Sequence, residues 1–425
     1  MSIHRLFWLV MCSVGLAQAV AAPLSLDEAQ QLAERHAPQL AAARAQEAAA
    51  REMAVAAGQL PDPVLKVGVS NVPLSGEMAY SLVQDGMTMR SVALMQELTR
   101  RDKRAARAAR ADREAELARV QQRQLLAETR RETALAWLDL AYQARMRGLI
   151  ETQLAELELR QQAVESAFRA GKGEQADIFA NSLASERTRD VLAQMQRDIA
   201  MARSRLARGL GEEALGERPL ADPPELPPLS WRPDLAPEAT SRHPTLAVQA
   251  GQVALAEADA RLARENRTPD VAVELMLSQR GPSYPNMVSL NFSMPLPWDR
   301  TNRQNREWGA KLAQLDQARA AQDDMHRAYL AELRGTLAAW QSNRERVQRY
   351  DDVLVPLARQ QTEAALAAYR AGSGMLDRVL EARRMTIDTQ MERQRVALDA
   401  ARAWAQLNFL NPQSDPASAA RGDQP

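Results

Sequence analysis

Apolar and polar side chains alternate along four short segments of the chain, and this period of two predicts β-strands. The first segment follows Pro61-Asp62-Pro63 and places Leu65, Val67 and Val69 on one face. The other three span 89–98, 271–278 and 287–296. Strands of about ten residues have the length that crosses a bilayer when tilted. A half-buried strand of a soluble protein has the same alternation, so the period alone leaves both possibilities open.

Two much longer segments have a helical period and few helix breakers. Residues 99–168 contain no proline and a single glycine, Gly148, and as one helix they would extend about 105 Å. Small and apolar residues recur in it at coiled-coil spacing: Leu117, Val120, Ala127, Ala134, Leu138 and Ala141. Residues 300–369 predict a matching helix that is broken late by Pro356. Such helices are too long for a compact domain, so we expect them to pack in hairpins and against other subunits.

Shorter helices are predicted before the first strand. Ser25 and Glu28 have the spacing of a capping box, which marks a helix start. A second helix is expected from Pro38 to Gly58. The four strands therefore lie between helices far longer than themselves, and the chain offers no further strands with which they could form a soluble core.

Three sequence landmarks occur twice, in the same order and about 200 to 208 residues apart. Pro38-Gln-Leu-Ala-Ala returns as Pro244-Thr-Leu-Ala-Val, and Pro61-Asp62 returns as Pro269-Asp270. The third landmark is an aromatic-Arg-Ala-Gly-x-Gly motif, found at 168–173 and 369–374. We therefore predict two structural repeats, residues 22–210 and 241–410, each ordered helix, strand, loop, strand, long helix, tight turn, helix.

The segments outside the repeats have compositions of their own. Residues 211–240 form a linker with seven prolines between Pro219 and Pro237, and because proline blocks helix continuation we expect this segment to be extended. Residues 411–425 are rich in Ser, Asp, Pro, Ala and Gly and predict a disordered tail.

The first 21 residues predict a cleaved export signal. His4 and Arg5 precede an apolar run from Leu6 to Leu16, and Ala19-Val20-Ala21 has the form of a cleavage site. The run is shorter than the ~20 residues that a spanning helix needs. Cys12 is the only cysteine, which excludes an intrachain disulfide and a cysteine-based zinc site. A lipid anchor at Cys12 is not expected, because Met11 stands where a small residue is required.

Composition narrows the function classes further. Basic and acidic residues balance at 54 each, so no overall field points to nucleic acid or to an acidic partner. The sequence contains no phosphate loop, no nucleophile elbow and no His–carboxylate pair at helical spacing, and its four histidines are scattered. We therefore predict no enzyme activity, no cofactor and no fixed metal site.

Together these features resemble the TolC family of outer-membrane efflux proteins, over nearly the whole mature chain. The resemblance rests on the opening Leu24-Ser25-Leu26-Asp27-Glu28-Ala29, the duplicated strand-loop-strand units and the two glycine turns. It implies a mainly α fold with a small membrane β part: long antiparallel helices forming a trimeric periplasmic α-barrel, and four strands per chain in a shared twelve-stranded β-barrel. Four strands alone would leave open edges in lipid, where each unsatisfied backbone group costs several kcal/mol.

The resemblance also implies a function and a location. The protein is expected to be a passive outer-membrane duct of a Gram-negative bacterium, with a long periplasmic extension. The implied partners are two further copies in a homotrimer, a periplasmic adaptor (membrane fusion) protein, an inner-membrane RND-type pump and outer-membrane lipid, but no nucleic acid. The loop Asn71–Gly76 and the methionines after it are similar to the heavy-metal branch of the family. Since thioethers bind Cu(I) and Ag(I), this favours heavy-metal cations as cargo.

Two groups of residues are candidates for functional contacts. Gly171, Gly173, Gly372 and Gly374 let the chain reverse between long helices, and in this family such tips contact the adaptor and constrict the entrance. Asp377 and Glu381 lie four residues apart after the second turn, and a trimer would repeat them as acidic rings that attract cations and gate the pore. A solvated helix face explains them as well, and Arg378 occupies a position where the family often has an acid. Asp177 is the corresponding candidate after the first turn.

Other features have plainer explanations. A basic run from Arg100 to Arg113 is expected to be a solvated helix start near the inner barrel rim, and Tyr80, Tyr284 and Trp298 fit either aromatic girdles or loop packing. The main alternative to a duct is an exported coiled-coil scaffold or adaptor without a pore. A helical nucleic-acid-binding protein is a second alternative, and it requires residues 1–21 not to be a signal.

Overall fold

The computed structural model describes residues 22–226, 229, 243–281 and 283–409. The predicted signal (1–21), most of the predicted linker from residue 227 onward and the predicted tail (411–425) lie outside the described residues. No helix among the described residues combines the length and the apolar composition needed to cross a membrane.

The first part of the chain runs helix, helix, strand, strand, long helix, helix. Its elements are α1 (Leu26–His36), α2 (Pro38–Ala57), β1 (Val64–Ser70), β2 (Met89–Leu98), α3 (Arg101–Arg169), α4 (Gln175–Leu210) and the single turn α5 (Glu212–Leu215). The 69 residues of α3 correspond to a length of about 104 Å.

Among the described residues, the second part repeats the order helix, strand, strand, long helix, helix, without counterparts of α1 and α5 and with a π-helical segment inside its long helix. Its elements are α6 (Pro244–Glu265), β3 (Val271–Gln279), β4 (Met287–Ser293), α7 (Gln304–Arg349), a π-helical segment (Tyr350–Leu354), α8 (Val355–Arg370) and α9 (Leu376–Phe409). The combination of long helices with four antiparallel strands confirms the predicted fold class at the level of one chain.

Local sequence explains where the helices begin. The Ser25 hydroxyl accepts a hydrogen bond from the Glu28 backbone N–H at 3.2 Å, as the capping box predicts. Pro38 and Pro244 both stand at the first helical position, where a missing N–H costs nothing because that group has no partner inside the helix.

The four strands form one antiparallel sheet in the order β1-β2-β3-β4. Strand β2 pairs with β3 from Leu98 opposite Val271 to Arg90 opposite Gln279, so the two parts of the chain meet in the centre of the sheet. Strands β1 and β4 consequently lie at its two edges.

The main hydrophobic core lies far from the sheet, where α1, α3, α4 and α9 pack together. Trp137 is fully buried there, and its indole N–H donates to the Leu24 carbonyl oxygen at 3.1 Å. Small residues such as Ala134 and Ala401 are also fully buried, which lets these helices approach closely. Leu117, Leu138 and Ala141 of the predicted seam are buried as well, whereas Val120 and Ala127 are only partly covered.

Three element boundaries differ from the predictions. Strand β4 ends at Ser293 and not at 296, because Pro295 and Pro297 cannot donate to a ladder. Pro356 does not break the helix: it follows a π-helical segment, at the start of α8, and the change of hydrogen-bond pattern accommodates the missing N–H. The predicted extended linker begins with the helical turn Glu212–Leu215 and then runs extended past Leu220, which bridges Leu24.

Candidate functional site: the sheet and the two helix tips

One face of the sheet is apolar and exposed. Neighbouring strands place their apolar residues in rows: Leu65 beside Leu94, Leu275 and Leu290, and Val67 beside Val92, Leu277 and Val288. Val67 is 74% exposed and Phe292 is 68% exposed, and no element of the described chain covers this face. A contiguous apolar patch of this kind is stable in water only when something else covers it.

The opposite face of the sheet is polar. The Lys66 ammonium nitrogen lies 2.5 Å from the Glu274 carboxylate, across the intervening strand β2. The Asn291 amide nitrogen also approaches Glu274, at 3.4 Å. Apolar residues on one face and charged residues on the other are the pattern of a membrane strand between lipid and an aqueous lumen.

Both edges of the sheet are open. Among the described residues, β1 pairs only with β2 and β4 pairs only with β3. The outer edges therefore present unpaired N–H and C=O groups, which readily pair with a strand of another chain.

The first helix tip reverses the chain through a Schellman motif. Gly171 has φ +72°, its N–H donates to the Phe168 carbonyl at 2.9 Å, and the Lys172 N–H donates to the Ala167 carbonyl at 2.9 Å. A Cβ on Gly173 would lie 3.2 Å from the Phe168 backbone nitrogen. The first glycine therefore supplies the left-handed conformation. The second, which has no Cβ, allows the chain after the turn to lie close to the backbone of Phe168.

The second tip repeats this geometry. Gly372 has φ +74°, and it donates to the Tyr369 carbonyl at 3.0 Å, while Ser373 donates to the Ala368 carbonyl at the same distance. A Cβ on Gly374 would lie 3.0 Å from the Tyr369 backbone nitrogen. The four glycines therefore have the turn geometry that the sequence predicts, while their contact with an adaptor stays a prediction.

The acidic candidates at the tips are exposed. Asp377 is 69% exposed and lies 3.3 Å from the Arg160 guanidinium of α3, and Glu381 lies 4.0 Å from Arg378 on its own helix. Asp177 is exposed near the start of α4, and its backbone N–H donates a hydrogen bond to the Glu174 carbonyl. Asp377 and Glu381 thus each have a cationic neighbour. No local pattern in the sequence indicates Arg160, because it lies 217 residues away from Asp377.

The basic run at the start of α3 is not simply a solvated face, so that expectation is wrong for three of its residues. Arg110 donates to the Asp259 carboxylate of α6 at 2.7 Å, and this hydrogen bond raises the pKa of the guanidinium. Arg100 binds Glu265 at 2.7 Å. The run therefore joins α3 to α6, which belongs to the other half of the chain.

The third residue of the basic run that contacts another element is Lys103, which lies beside the sheet. The Lys103 ammonium lies 2.6 Å from the Asp270 carboxylate, and the side chains are only 13% and 8% exposed. Asp270 also accepts from the Arg100 backbone N–H at 3.0 Å. Burial raises the pKa of the Asp270 carboxyl, but the bonds from Lys103 and Arg100 outweigh burial and hold the pKa below its ordinary value.

The loops at the other end of the sheet interlock. Arg280 donates to the Gly86 carbonyl at 2.6 Å and lies over the Tyr284 ring. A Cβ on Gly86 would collide with that ring, so the loop before β2 and the loop before β4 fit only because a glycine lies between them. Tyr284 thus packs in a loop, whereas Tyr80 and Trp298 are largely exposed.

Methionines flank these loops, with Met78, Met87 and Met287 exposed. Among the described residues, no cluster of three or more histidine, cysteine or acidic side chains could hold a metal ion. Thioethers are therefore the soft ligands that this region offers.

Part of the sequence matches a known family. Residues 235–411 match the profile of the outer membrane efflux protein family, abbreviated OEP. The matched segment contains β3, β4 and the second helix tip. No curated protein sequence matches the chain.

The fold is shared with solved outer-membrane channels over almost the whole chain. The outer-membrane channel OprN superimposes with a TM-score of 0.76 at 18% identity, covering 91% of this chain and 89% of that one. CusC, described as forming a transmembrane channel, gives 0.76 at 16% identity, covering 91% and 92%. The open state of the Neisseria gonorrhoeae MtrE outer membrane channel gives 0.71 at 15% identity, covering 91% and 88%.

Proposed function

We propose that this chain is the outer-membrane channel of a tripartite efflux system. The observation that carries the proposal is the sheet: four strands with one exposed apolar face, one charged face and two open edges, attached to helices of up to about 100 Å. The apolar face fits lipid, and the charged face fits a water-filled lumen. The match of residues 235–411 to the OEP family supports this function.

The open edges require other copies. In lipid, an unpaired edge is too costly to persist, so the sheet must close on itself or on its neighbours. Four strands are too few to close, whereas three copies supply twelve, which lies within the range of membrane barrels. We propose a homotrimer in the outer membrane, with the long helices of all copies forming a periplasmic tunnel.

The helix tips lie at the far end of the tunnel from the sheet. We propose that the two glycine turns contact a periplasmic adaptor, which connects the tunnel to an inner-membrane RND-type pump. Asp377 and Glu381 would then surround the entrance in threefold rings, where negative charge favours cations. The channel itself performs no reaction, and the pump supplies the energy.

For the cargo we propose heavy-metal cations. The exposed methionines around the loops, among them Met78, Met87 and Met287, support soft cations such as Cu(I) and Ag(I). A deletion strain should lose tolerance to copper, silver, zinc, cobalt or cadmium and keep its tolerance to drugs. Unchanged tolerance of every metal would remove the metal cargo and leave the channel function standing.

The channel function has a direct test. Membrane fractions of the native host should contain the protein in the outer membrane, as a detergent-stable trimer that begins at Ala22. An exported scaffold would instead appear as soluble periplasmic material without a pore. A chain that retains residues 1–21 and stays in the cytoplasm would contradict export and the duct together.

A further inference from the structure

Inside the chain, Asp270 connects the start of β3 to the start of α3, and we call this contact the joint. We propose that Asp62 of one copy binds Arg303 of the next copy and that this ion pair repeats the joint between subunits. The inference rests on the proposed function, because it requires several copies to share one closed sheet. The partner is a second copy of this chain.

The joint inside the chain provides the template. Asp270 stands directly before β3, and it binds the Lys103 side chain and the Arg100 backbone N–H at the start of α3. It reaches them because β2 and β3 are antiparallel, which places the end of β2, Leu98, opposite the start of β3, Val271. An acid before one strand thus holds the helix that follows the neighbouring strand.

Asp62 is the repeat counterpart of Asp270. Both follow a proline and precede a strand, in Pro61-Asp62-Pro63 and Pro269-Asp270-Val271. The segment is fixed by its prolines and by the Gln96 amide, which donates to the Pro61 carbonyl at 2.8 Å. Asp62 is nevertheless exposed, and its side chain makes no hydrogen bond or ion pair with another residue of the described chain. The Asp62 carboxylate is therefore free to bind a group of another copy.

In a sheet shared between copies, the group beside Asp62 comes from the far edge of the neighbouring copy's sheet. Strand β1, which follows Asp62, is one edge, and β4, which precedes α7, is the other. If β4 of one copy pairs with β1 of the next as β2 pairs with β3, the start of β1 lies beside the end of β4. Asp62 then faces the turn that leads into α7 of the neighbouring copy.

Arg303 is the cation in that turn that fits best. It is the residue immediately before α7, the position that Arg100 has before α3, although Arg100 binds Asp270 through its backbone N–H and the side-chain cation there is Lys103. Arg303 is exposed and makes no ion pair with any residue in the described part of the chain. The hydrogen bonds from Asn302 hold the pKa of the nearby Asp299 carboxyl below its ordinary value, and the charge of Arg303 adds to this only from a distance. Arg300, by contrast, is already bound to the Arg267 carbonyl at 2.9 Å.

The two joints differ in one respect that the local structure explains. The connection from β4 to α7 is longer than that from β2 to α3, and Asp299 already accepts the Asn302 backbone N–H at 3.1 Å. We therefore assign the intersubunit contact to the Arg303 side chain alone, without the backbone bond that Asp270 accepts from Arg100. A guanidinium binds a carboxylate through two parallel N–H groups, so a side-chain contact is sufficient.

Cysteine crosslinking tests the contact in the full-length protein in native membranes. Cys12 lies in the predicted signal, so Asp62→Cys with Arg303→Cys places the only two thiols in the mature chain. A short bis-maleimide should convert monomers into covalent dimers and trimers. The matched pair Lys103→Cys with Asp270→Cys should stay at monomer size, because that joint lies within one chain. Glu77→Cys with Arg303→Cys, which pairs a residue of the loop beyond β1 with Arg303, should not crosslink.

Charge reversal tests whether the contact stabilises the ring. Asp62→Arg or Arg303→Asp should each lower the temperature at which the detergent-solubilised trimer dissociates, and the double reversal should restore most of the loss. Glu77→Arg, an exposed control, should leave this temperature unchanged. If the wild-type protein is a trimer but the Asp62→Cys, Arg303→Cys variant runs at monomer size after crosslinking, the ion pair is refuted and the channel function stands. A wild-type protein that forms no trimer overturns the proposed function, and the ion pair with it.

Discussion

The Arg160 guanidinium lies 3.3 Å from the Asp377 carboxylate, so α3 of the first hairpin is tied to the start of α9 just beyond the second tip. Asp377 is well exposed and Arg160 is partly exposed, and a surface pair of this kind stabilises a fold by only about 0–1 kcal/mol. The contact therefore matters more for the charge at the tip than for stability.

Removing the acids should change ion selectivity. In trimers reconstituted in planar bilayers, we expect Asp377→Asn with Glu381→Gln to reduce the preference for cations, because the threefold carboxylates are lost. Arg160→Gln should increase the preference, since it leaves Asp377 without its counter-charge. The unfolding free energy should change by less than about 1 kcal/mol in each case. Asp177→Asn tests the corresponding candidate after the first turn in the same way. Selectivity equal to the wild type in all three variants would refute the gate assignment.

Substituting the first glycine of either tip should destabilise the turn. Gly171→Ala and Gly372→Ala force an L side chain into φ +72° and +74°, which costs roughly 1–2 kcal/mol each. Gly173→Ala and Gly374→Ala should also be unfavourable, because the new Cβ would lie 3.2 and 3.0 Å from backbone atoms. Chemical denaturation of the detergent-solubilised protein measures these losses.

Gly148 provides the control for the glycine series. It lies inside α3, where an added Cβ would meet no atom of a neighbouring element within 4 Å. Gly148→Ala should therefore raise stability by about 0.5–1 kcal/mol, the ordinary helix preference for alanine. Equal losses at Gly148 and Gly171 would show that the turn conformation is not the cause.

Breaking the joint beside the sheet should be costly. Asp270→Ala leaves the Lys103 ammonium largely buried without its carboxylate and removes the bond to the Arg100 N–H, which we expect to cost about 2–4 kcal/mol. Replacing both residues, with Asp270→Ala and Lys103→Met, should recover part of the loss. Glu116→Ala, which breaks only an exposed pair with Arg113, should cost less than about 1 kcal/mol. Similar losses in both single variants would contradict the burial argument.

His243 should make the protein sensitive to acid. Burial, helped by the nearby Arg131, lowers the pKa of its imidazole from the ordinary 6.5 to about 4, and the ring packs against Tyr329 at 4.2 Å. The unfolded chain therefore binds a proton more readily than the folded chain between about pH 6.5 and 4. Stability should fall as the pH drops through this window, by up to about 1.4 kcal/mol per unit.

His243→Asn should remove this component of the pH dependence. The Asn side-chain oxygen takes the position of His243 Nδ1, which accepts from the Thr245 N–H at 3.3 Å, so the helix cap is retained. His326→Asn alters an exposed ring and should leave the pH profile as it is in the wild type. Unfolding curves of the three proteins at pH 4 to 7 make the comparison, and an unchanged slope in His243→Asn would refute the assignment.

Features that depend on neighbours along the chain could be predicted from the amino acids alone. The alternation at Leu65, Val67 and Val69 requires a strand, because successive side chains point to opposite faces. Gly171 and Gly372 mark turns, because only glycine enters the left-handed region without strain. The Ser25 cap forms through a hydrogen bond that spans three residues.

Which distant residues meet became known only from the folded chain. Lys103 binds Asp270, Arg160 binds Asp377 and Trp137 donates to Leu24 across 113 to 217 residues of chain, and no local pattern marks these partners. The amino acids alone therefore predict a solvated face for the basic run. The order β1-β2-β3-β4 brings α6 beside α3, and the run binds acidic residues of α6. Strand and helix periods fix which face a residue occupies, whereas the packing of whole elements fixes what that face touches.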